Sequence, residues 1–491
     1  MTESAIKALR PVANMVIRGQ IISDNLVEFG GRGGDLSFLA PDAHQYLDRL
    51  PMGNPGKLSE LYELSFDDIV DYLSKVGDAL DVSTNEHLQQ ARELSYLTAP
   101  TTPSIVDASY ADLGSFFQPD AVREDAESQI GIKYLEGWVE EQPRRNGMRL
   151  KVRCFGARTL HIVAGNAPAI SALSIIRNAI LRSDALIKTP SNDPFTALAI
   201  AQTMIDVDPQ HPITKHLSVA YWRGGDTVLE EKLYQPHNVE KIIAWGGYAS
   251  VKHVTQYIQP GLELISLDPK RSISIIGKEA FDSESAMQDV ALRLASDFGG
   301  MNQVGCVNAR VVYVQSGTDE AGIEQLNQLG QMTYDALAKL PASISTKPKA
   351  YDNELRAHVD ALRFSEDWYR VIGGEDDEGA VIVSQIPDAV DFATKLDHRT
   401  ANLVPIDSID EATAAANAYT QTVGVYPEDL KDDIGDLLSL YGAQRFVSLG
   451  YAISGTTAAP QDGIEPVRRM AKWITNEISE TGVVTPPWQW D

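Results

Sequence analysis

A chain of 491 residues is longer than one hydrophobic core usually organises, so two or three domains are expected. Its 68 acidic and 42 basic residues leave a net charge of −26, which repels nucleic-acid phosphates and anionic lipid and sets both aside as partners. The two cysteines, Cys154 and Cys306, can build neither a disulfide framework nor a four-thiolate zinc site. The nine histidines form no HExxH motif and no cluster with cysteine, so no metal is expected, and His211 and His216 read as loop residues.

The opening stretch MTESAIKALRPVANMVIRGQ mixes acids and bases and has no apolar signal-peptide core, which leads us to expect a cytoplasmic protein. The first 130 residues read as mostly helical and polar, with turn signals at GGRGG and MGNPGK. GGRGGD at 30–35 lacks the last glycine of a dinucleotide fingerprint and the lysine of a P-loop, and reads as a loop. RRNGMRLKVRCFG reads as a hairpin turning at Asn146 and Gly147, with 147–158 as a candidate assembly arm. Cys154, inside its alternating pattern, is taken as structural.

From residue 159 onward, strand-length apolar runs alternate with helical segments. TLHIVA, ALIK, HLSVAYW, VEKIIAW and ELISL are the strands; PAISALSIIRNAILR, DPFTALAIAQTMIDV, DTVLEEKLY and YASVKHVTQYI are the helices. Such repeats predict a parallel sheet covered on both faces, an α/β architecture of nucleotide-binding type. The longest uncharged run, 159–176, is broken by AGNAP, so no membrane span is expected. A second α/β domain is expected from about 278 to 450. It begins with SESAMQDVALRLASDFGG, where Met287, Val290, Ala291, Leu294, Ala295 and Phe298 share one helical face.

Four places could carry chemistry. Cys306, in DFGGMNQVGCVNARVVYV, has two local readings: a small buried hydrophobe, or a nucleophile whose own N–H faces an oxyanion. Gly299, Gly300 and Gly305 allow close backbone approach, and Asn302, Gln303 and Asn308 add polar groups that an apolar pocket does not need. Asn166, between a strand and a helix, is either a turn residue or an amide donor. Lys188 ends a strand at the edge where open α/β sheets bind ligands, and is either solvated or a phosphate contact. Gly246 and Gly247 lie ahead of a helix whose N–H groups could meet a pyrophosphate.

Taken together, AGNAPAISALSIIRNAILRSDALIKTPSNDP, YWRGGD, KIIAWGG, LDPKRS, NQVGCVNARVVYV, QTVGVYP and PQDGIEPVRRM resemble the aldehyde dehydrogenase superfamily. Within it they are most similar to the fatty acyl-CoA reductases of the LuxC type, over roughly residues 150–475. The resemblance implies a Rossmann-type cofactor domain within 1–277, behind an N-terminal helical region. It also implies a catalytic domain over 278–450, and a segment 451–491 that returns to the cofactor domain or an assembly interface. It makes Cys306 the nucleophile and Asn166 its oxyanion partner. Lys188 would touch the adenosine ribose or its 2′-phosphate, with Pro190, Ser191, Gly225 and Trp245 in the same nucleotide site and Gly246 and Gly247 along the pyrophosphate. NADPH is the implied reductant, coenzyme A the leaving group, and a homodimer or homotetramer the implied assembly, with an acyl-transferring protein as a possible partner. Ser191, three residues after Lys188, stands where an acid would repel a 2′-phosphate.

Two departures bear on the activity. Where aldehyde-oxidising members carry a glutamate followed by two glycines, this chain reads ISLDPKRS; Asp268 is the candidate base there, or a turn residue before Pro269. Gln461 stands where the resemblance leads us to expect a histidine. The expected function is NADPH-dependent reduction of an acyl-CoA to the aldehyde through a thioacyl-cysteine. The alternatives are an aldehyde dehydrogenase working toward the acid with Asp268 as base, and a non-catalytic subunit that keeps the fold for assembly.

Overall fold

The computed structural model describes residues 10–31, 36–142, 144, 147–267, 270–480 and 482–490. The chain forms two compact units. One comprises residues 1–98, 109–268 and 457–491; the other comprises 99–108 and 269–456.

The first unit is built on a seven-stranded sheet in the order Glu263–Leu267, Lys241–Trp245, Arg158–Ile162, Asp184–Lys188, Leu217–Ala220, Met15–Ile17, Gln20–Ile22. The first five are parallel. Helices Pro168–Leu181 and Thr196–Val207 carry the chain outward from Arg158–Ile162 on one side, and Thr227–Leu233 and Tyr248–Thr255 accompany its return on the other. The winding direction therefore reverses between Arg158–Ile162 and Lys241–Trp245, which is the topological switch point of a doubly wound sheet. Every residue of the three central strands is buried, as expected of a parallel sheet covered on both faces.

The N-terminal part differs from its sequence reading. Met15–Ile17 and Gln20–Ile22 form a hairpin on the sheet edge, turning at Arg18 (φ 48°) and Gly19 (φ 79°), and Leu26–Gly30 pairs antiparallel with Ser37–Pro41. Two positive φ values in a two-residue turn match the right-handed twist of flanking strands. Strands of three residues are too short to display a period, so the expectation of a mostly helical start misses them. Helices do follow, beginning with Phe66–Ala79, whose N-terminus is closed by a Ser65–Asp68 capping box. A three-stranded sheet completes the unit: Arg149–Phe155 pairs antiparallel with Val139–Glu140 on one edge and with Lys472–Ile478 on the other. Asn146, assigned to the hairpin turn, lies outside the described residues.

The second unit has its own seven-stranded sheet, in the order Tyr369–Gly373, Ala380–Ser384, Thr400–Pro405, Ala309–Val314, Arg271–Ile276, Thr420–Tyr426, Arg445–Ser448. Only the first of these runs antiparallel to its neighbour. Helix Glu284–Gly299, capped by Ser283, buries the predicted face from Met287 to Phe298 in a core shared with Ala309, Val312 and helix Glu320–Leu337. No described helix is long and apolar enough to cross a membrane.

Candidate active site

In the first unit the sheet topology aligns the predicted oxyanion donor with the predicted coenzyme residues. Asn166, Lys188, Gly225 and the Gly246–Gly247 pair each lie at or just beyond the carboxyl end of one of four adjacent parallel strands. Asn166 is half-buried in the turn before helix Pro168–Leu181. That turn presses on the one after Lys188: a Cβ on Gly165 would stand 2.5 Å from Asn192 Oδ1, and Asn192 Nδ2 donates to the Gly165 carbonyl at 2.9 Å. A larger residue at 165 would have to displace the Asn192 side chain.

Lys188 is buried, with its ammonium 5.5 Å from the Trp222 ring centroid. It has no hydrogen-bond acceptor and no carboxylate in ion-pair contact among the described residues. Burial pushes its pKa down to about 8, against the attraction of Glu230. A partly desolvated cation with spare donors at a strand end fits a phosphate or a ribose diol. Pro190 and Ser191 follow, both half-buried. The next acid along the chain, Asp193, accepts the Thr196 N–H (3.0 Å) and hydroxyl (2.8 Å), so its carboxyl is committed to helix Thr196–Val207; burial raises its pKa. Gly225, at φ 87°, gives its N–H to the buried Glu230 (3.3 Å), which also accepts from His253 (2.6 Å) and Tyr257 (3.1 Å). Trp245 is buried beneath the Arg177 guanidinium, and a Cβ on Gly247, the cap of helix Tyr248–Thr255, would meet nothing within 4 Å. The head of that helix thus has room for a ligand. Gln461 accepts from Arg177 Nη1 at 3.3 Å.

In the second unit, Cys306 is half-buried in the turn that joins helix Glu284–Gly299 to strand Ala309–Val314. The turn opens with three successive non-glycine residues in the left-handed region: Met301 (φ 50°), Asn302 (φ 52°) and Gln303 (φ 68°). Such strain persists only where the surroundings over-determine it, and here side-chain amides do so. Gln303 Nε2 donates to the carbonyls of Ala309 and Thr400 (both 2.9 Å), and its Oε1 accepts the Thr400 N–H (2.8 Å). Asn308 Oδ1 accepts the Gly305 N–H (3.0 Å) while its Nδ2 donates to the Asp297 carbonyl (2.9 Å). Asn302 Oδ1 accepts from Thr346 N (2.9 Å), and Ser272 Oγ donates to the Cys306 carbonyl (2.7 Å). The polar residues noted around Cys306 in the sequence are the pins of its loop. Cys154, by contrast, is buried, and burial pushes its thiol up to about 12.

Three buried or half-buried charges on the elements beside the turn carried no sequence signal. Arg310 looks like one charge in the apolar run ARVVYV, yet it is buried and donates to the carbonyls of Gln303 (3.3 Å), Gly305 (3.4 Å) and Asn308 (2.8 Å). Arg445 holds the carbonyls of Ala452 (2.8 Å) and Ser454. Asp297, wholly buried, accepts the Ala452 N–H (2.9 Å), and burial raises its carboxyl to about 6. Asp268 lies outside the described residues. No group of three or more His, Cys, Asp or Glu that could hold a metal ion occurs among the described residues.

A family model described as acyl-CoA reductase (LuxC) matches residues 61–473. A long-chain acyl-protein thioester reductase of Photorhabdus laumondii is 30% identical, over 72% of this chain and 69% of that protein. One from Photobacterium phosphoreum is 27% identical, over 73% and 69%. Among solved structures, aldehyde dehydrogenase 21 from Physcomitrella patens superposes with a TM-score of 0.73 at 11% identity, covering 96% of this chain and 99% of that one. An NADP-dependent glyceraldehyde-3-phosphate dehydrogenase from Bacillus halodurans, complexed with NADP, gives 0.72 at 12% identity, covering 95% and 98%. The expected α/β aldehyde-dehydrogenase-like fold is the one observed.

Proposed function

The chain belongs to the acyl-CoA reductase family LuxC, and from that premise we propose that it reduces a fatty acyl thioester to the aldehyde, with NADPH as reductant and Cys306 as the acyl carrier. The observation that carries the reading is the Cys306 turn, in which three left-handed residues are held by amide pins beside one half-buried thiol. A cysteine that served only as core filler would need none of this.

On this reading the Cys306 sulfur attacks the thioester carbon. A new carbon–sulfur bond forms, the donor's carbon–sulfur bond breaks, and the donor leaves as a thiolate that takes a proton from solvent. The Cys306 N–H and the Asn166 amide are the donors proposed for the oxyanion, each of a kind worth about 3 kcal/mol. Lys188, with Pro190, Ser191 and Gly225, would hold the adenosine end of the coenzyme; Trp245, Gly246 and Gly247 would hold its pyrophosphate. When bound, the reduced nicotinamide supplies hydride to the thioacyl carbon. Cys306 then departs as the thiolate and aldehyde is released. Ser191 in place of an acid, and the engagement of the Asp193 carboxyl with Thr196, support a 2′-phosphate at the Lys188 turn.

The relatives are named for acyl-protein substrates, so the donor is proposed as either coenzyme A or a carrier protein, with coenzyme A the form to test first. Incubation with long-chain acyl-CoA and no coenzyme should add one acyl mass at Cys306, and Cys306→Ser should abolish both the adduct and NADPH oxidation while NADPH still binds. No adduct on the wild type from either donor class rejects the reading. Steady NADPH production from aldehyde and NADP⁺ without coenzyme A would favour the hydrolytic dehydrogenase instead.

A further inference from the structure

A buried cation stands just after the cysteine turn without an ion-paired carboxylate among the described residues. Arg310 is 9% exposed, and none of its nitrogens makes an ion pair with a carboxylate among the described residues. Its hydrogen bonds all go to neutral carbonyls, those of Gln303, Gly305 and Asn308, which bracket Cys306 on both sides; its Nε is buried without a partner. Main-chain carbonyls orient a guanidinium but do not neutralise it. A desolvated positive charge favours an anion nearby, and the ionisable group enclosed by this turn is the thiol of Cys306.

We propose that Arg310 is the positioning residue that keeps Cys306 as a thiolate, with Arg445 as a second, weaker charge. The inference rests on Cys306 being the nucleophile and adds what activates it. The charges facing each group are consistent with this. Arg310 is attracted by Asp397 and Cys306 and repelled by Arg271, and burial lowers its pKa. Arg445 is attracted by Asp297 and by Cys306, and burial lowers it too. Asp397 and Asp297 are the larger attractions on the two arginines, but neither is in ion-pair contact with them; Asp397 accepts the His398 N–H (2.8 Å) and Asp297 the Ala452 N–H (2.9 Å). Ionisation of Cys306 therefore adds a negative charge within the electrostatic reach of two guanidinium groups. The same side chain bonds the carbonyls on either side of Cys306, so charge and loop geometry are coupled in one residue.

The test is the pH dependence of Cys306 alkylation by iodoacetamide in the full-length protein, read by peptide mass. Cys154 does not interfere, because its thiol is buried and pushed up to about 12. The wild-type midpoint should lie below the value of about 8.5 for a free cysteine. Arg310→Gln should raise the midpoint by about one unit or more, slowing alkylation at pH 7 about tenfold, with rates converging above pH 10. Arg310→Lys should restore most of the shift. A purely structural role would slow or speed alkylation at every pH and leave the midpoint in place. A wild-type midpoint at or above 8.5, or an unmoved midpoint in Arg310→Gln, overturns the proposal. Should Arg310→Gln fail to fold, Arg445→Gln must raise the midpoint in the same direction, and an unmoved value there overturns it equally. Acyl-adduct formation measured on the same samples separates the two ideas. An adduct with an unmoved midpoint sinks the arginine role alone, whereas a shifted midpoint without an adduct sinks Cys306 as acyl carrier and leaves the arginine role standing.

Discussion

At Lys188, binding and stability pull in opposite directions. Its folded pKa of about 8 lies below the ordinary 10.5, so between those values the unfolded chain binds more protons than the folded one, and stability rises with pH. Below pH 8 the full penalty of the buried ammonium is present. Lys188→Met, which keeps an apolar stem on Trp222 and removes the charge, should therefore stabilise the ligand-free protein at pH 7 by about 2–3 kcal/mol. Above pH 10 the gain should vanish. Urea unfolding at both pH values checks this, and a variant less stable than wild type at pH 7 would refute it. The same substitution should weaken NADPH binding at least tenfold, measured by fluorescence titration, if the ammonium meets a phosphate.

At the level of elements, the cysteine turn is a loop made rigid by its own side chains. Gln303 is completely buried and satisfies three main-chain groups across two strands. Gln303→Leu keeps the bulk but leaves those groups unpaired, which should cost about 2–4 kcal/mol and release the strain at Met301 and Asn302. The expected outcome is a lower urea midpoint together with slower Cys306 acylation; unchanged acylation in a destabilised variant would show that the pins serve folding only. Strand and helix alternation between 159 and 267 was legible because strands buried on both faces, such as Lys241–Trp245, are nearly continuous apolar runs. The helix face from Met287 to Phe298 was legible by its period. Met15–Ile17 was not, since its pairing depends on the distant Leu217–Ala220. Arg310 was hidden for a related reason: a single charge in a strand reveals its importance only when the carbonyls around it are known. The sequence named Gln303 and Asn308 as polar oddities, but which amide atoms pin which backbone groups is a tertiary property.

Across the whole molecule the governing fact is the net charge of −26. Coenzyme A and NADPH both carry phosphates, so a protein of this sign repels them at long range even if its site attracts them at contact. Salt screens the first effect over a Debye length of about 8 Å at physiological strength and leaves short buried contacts largely intact. If the proposed reaction holds, the KM values for acyl-CoA and NADPH should accordingly fall as NaCl rises from roughly 10 to 150 mM, and then level off. A steady increase in KM over that range would mean that local cations near the crevice dominate the encounter.

The first unit is stitched from segments at both ends of the chain, and its small sheet shows what that entails. Strand Arg149–Phe155 must wait for Lys472–Ile478, which emerges from the ribosome roughly 300 residues later, some 15–60 s at ordinary translation speeds. During that interval it offers an open edge to neighbouring nascent chains. Arg149, Lys151 and Arg153 alternate along it, and like charges on a waiting edge discourage two copies from zipping together. Until residues 472–478 arrive, that spacing of like charge is what opposes pairing of the edge with a second copy of itself.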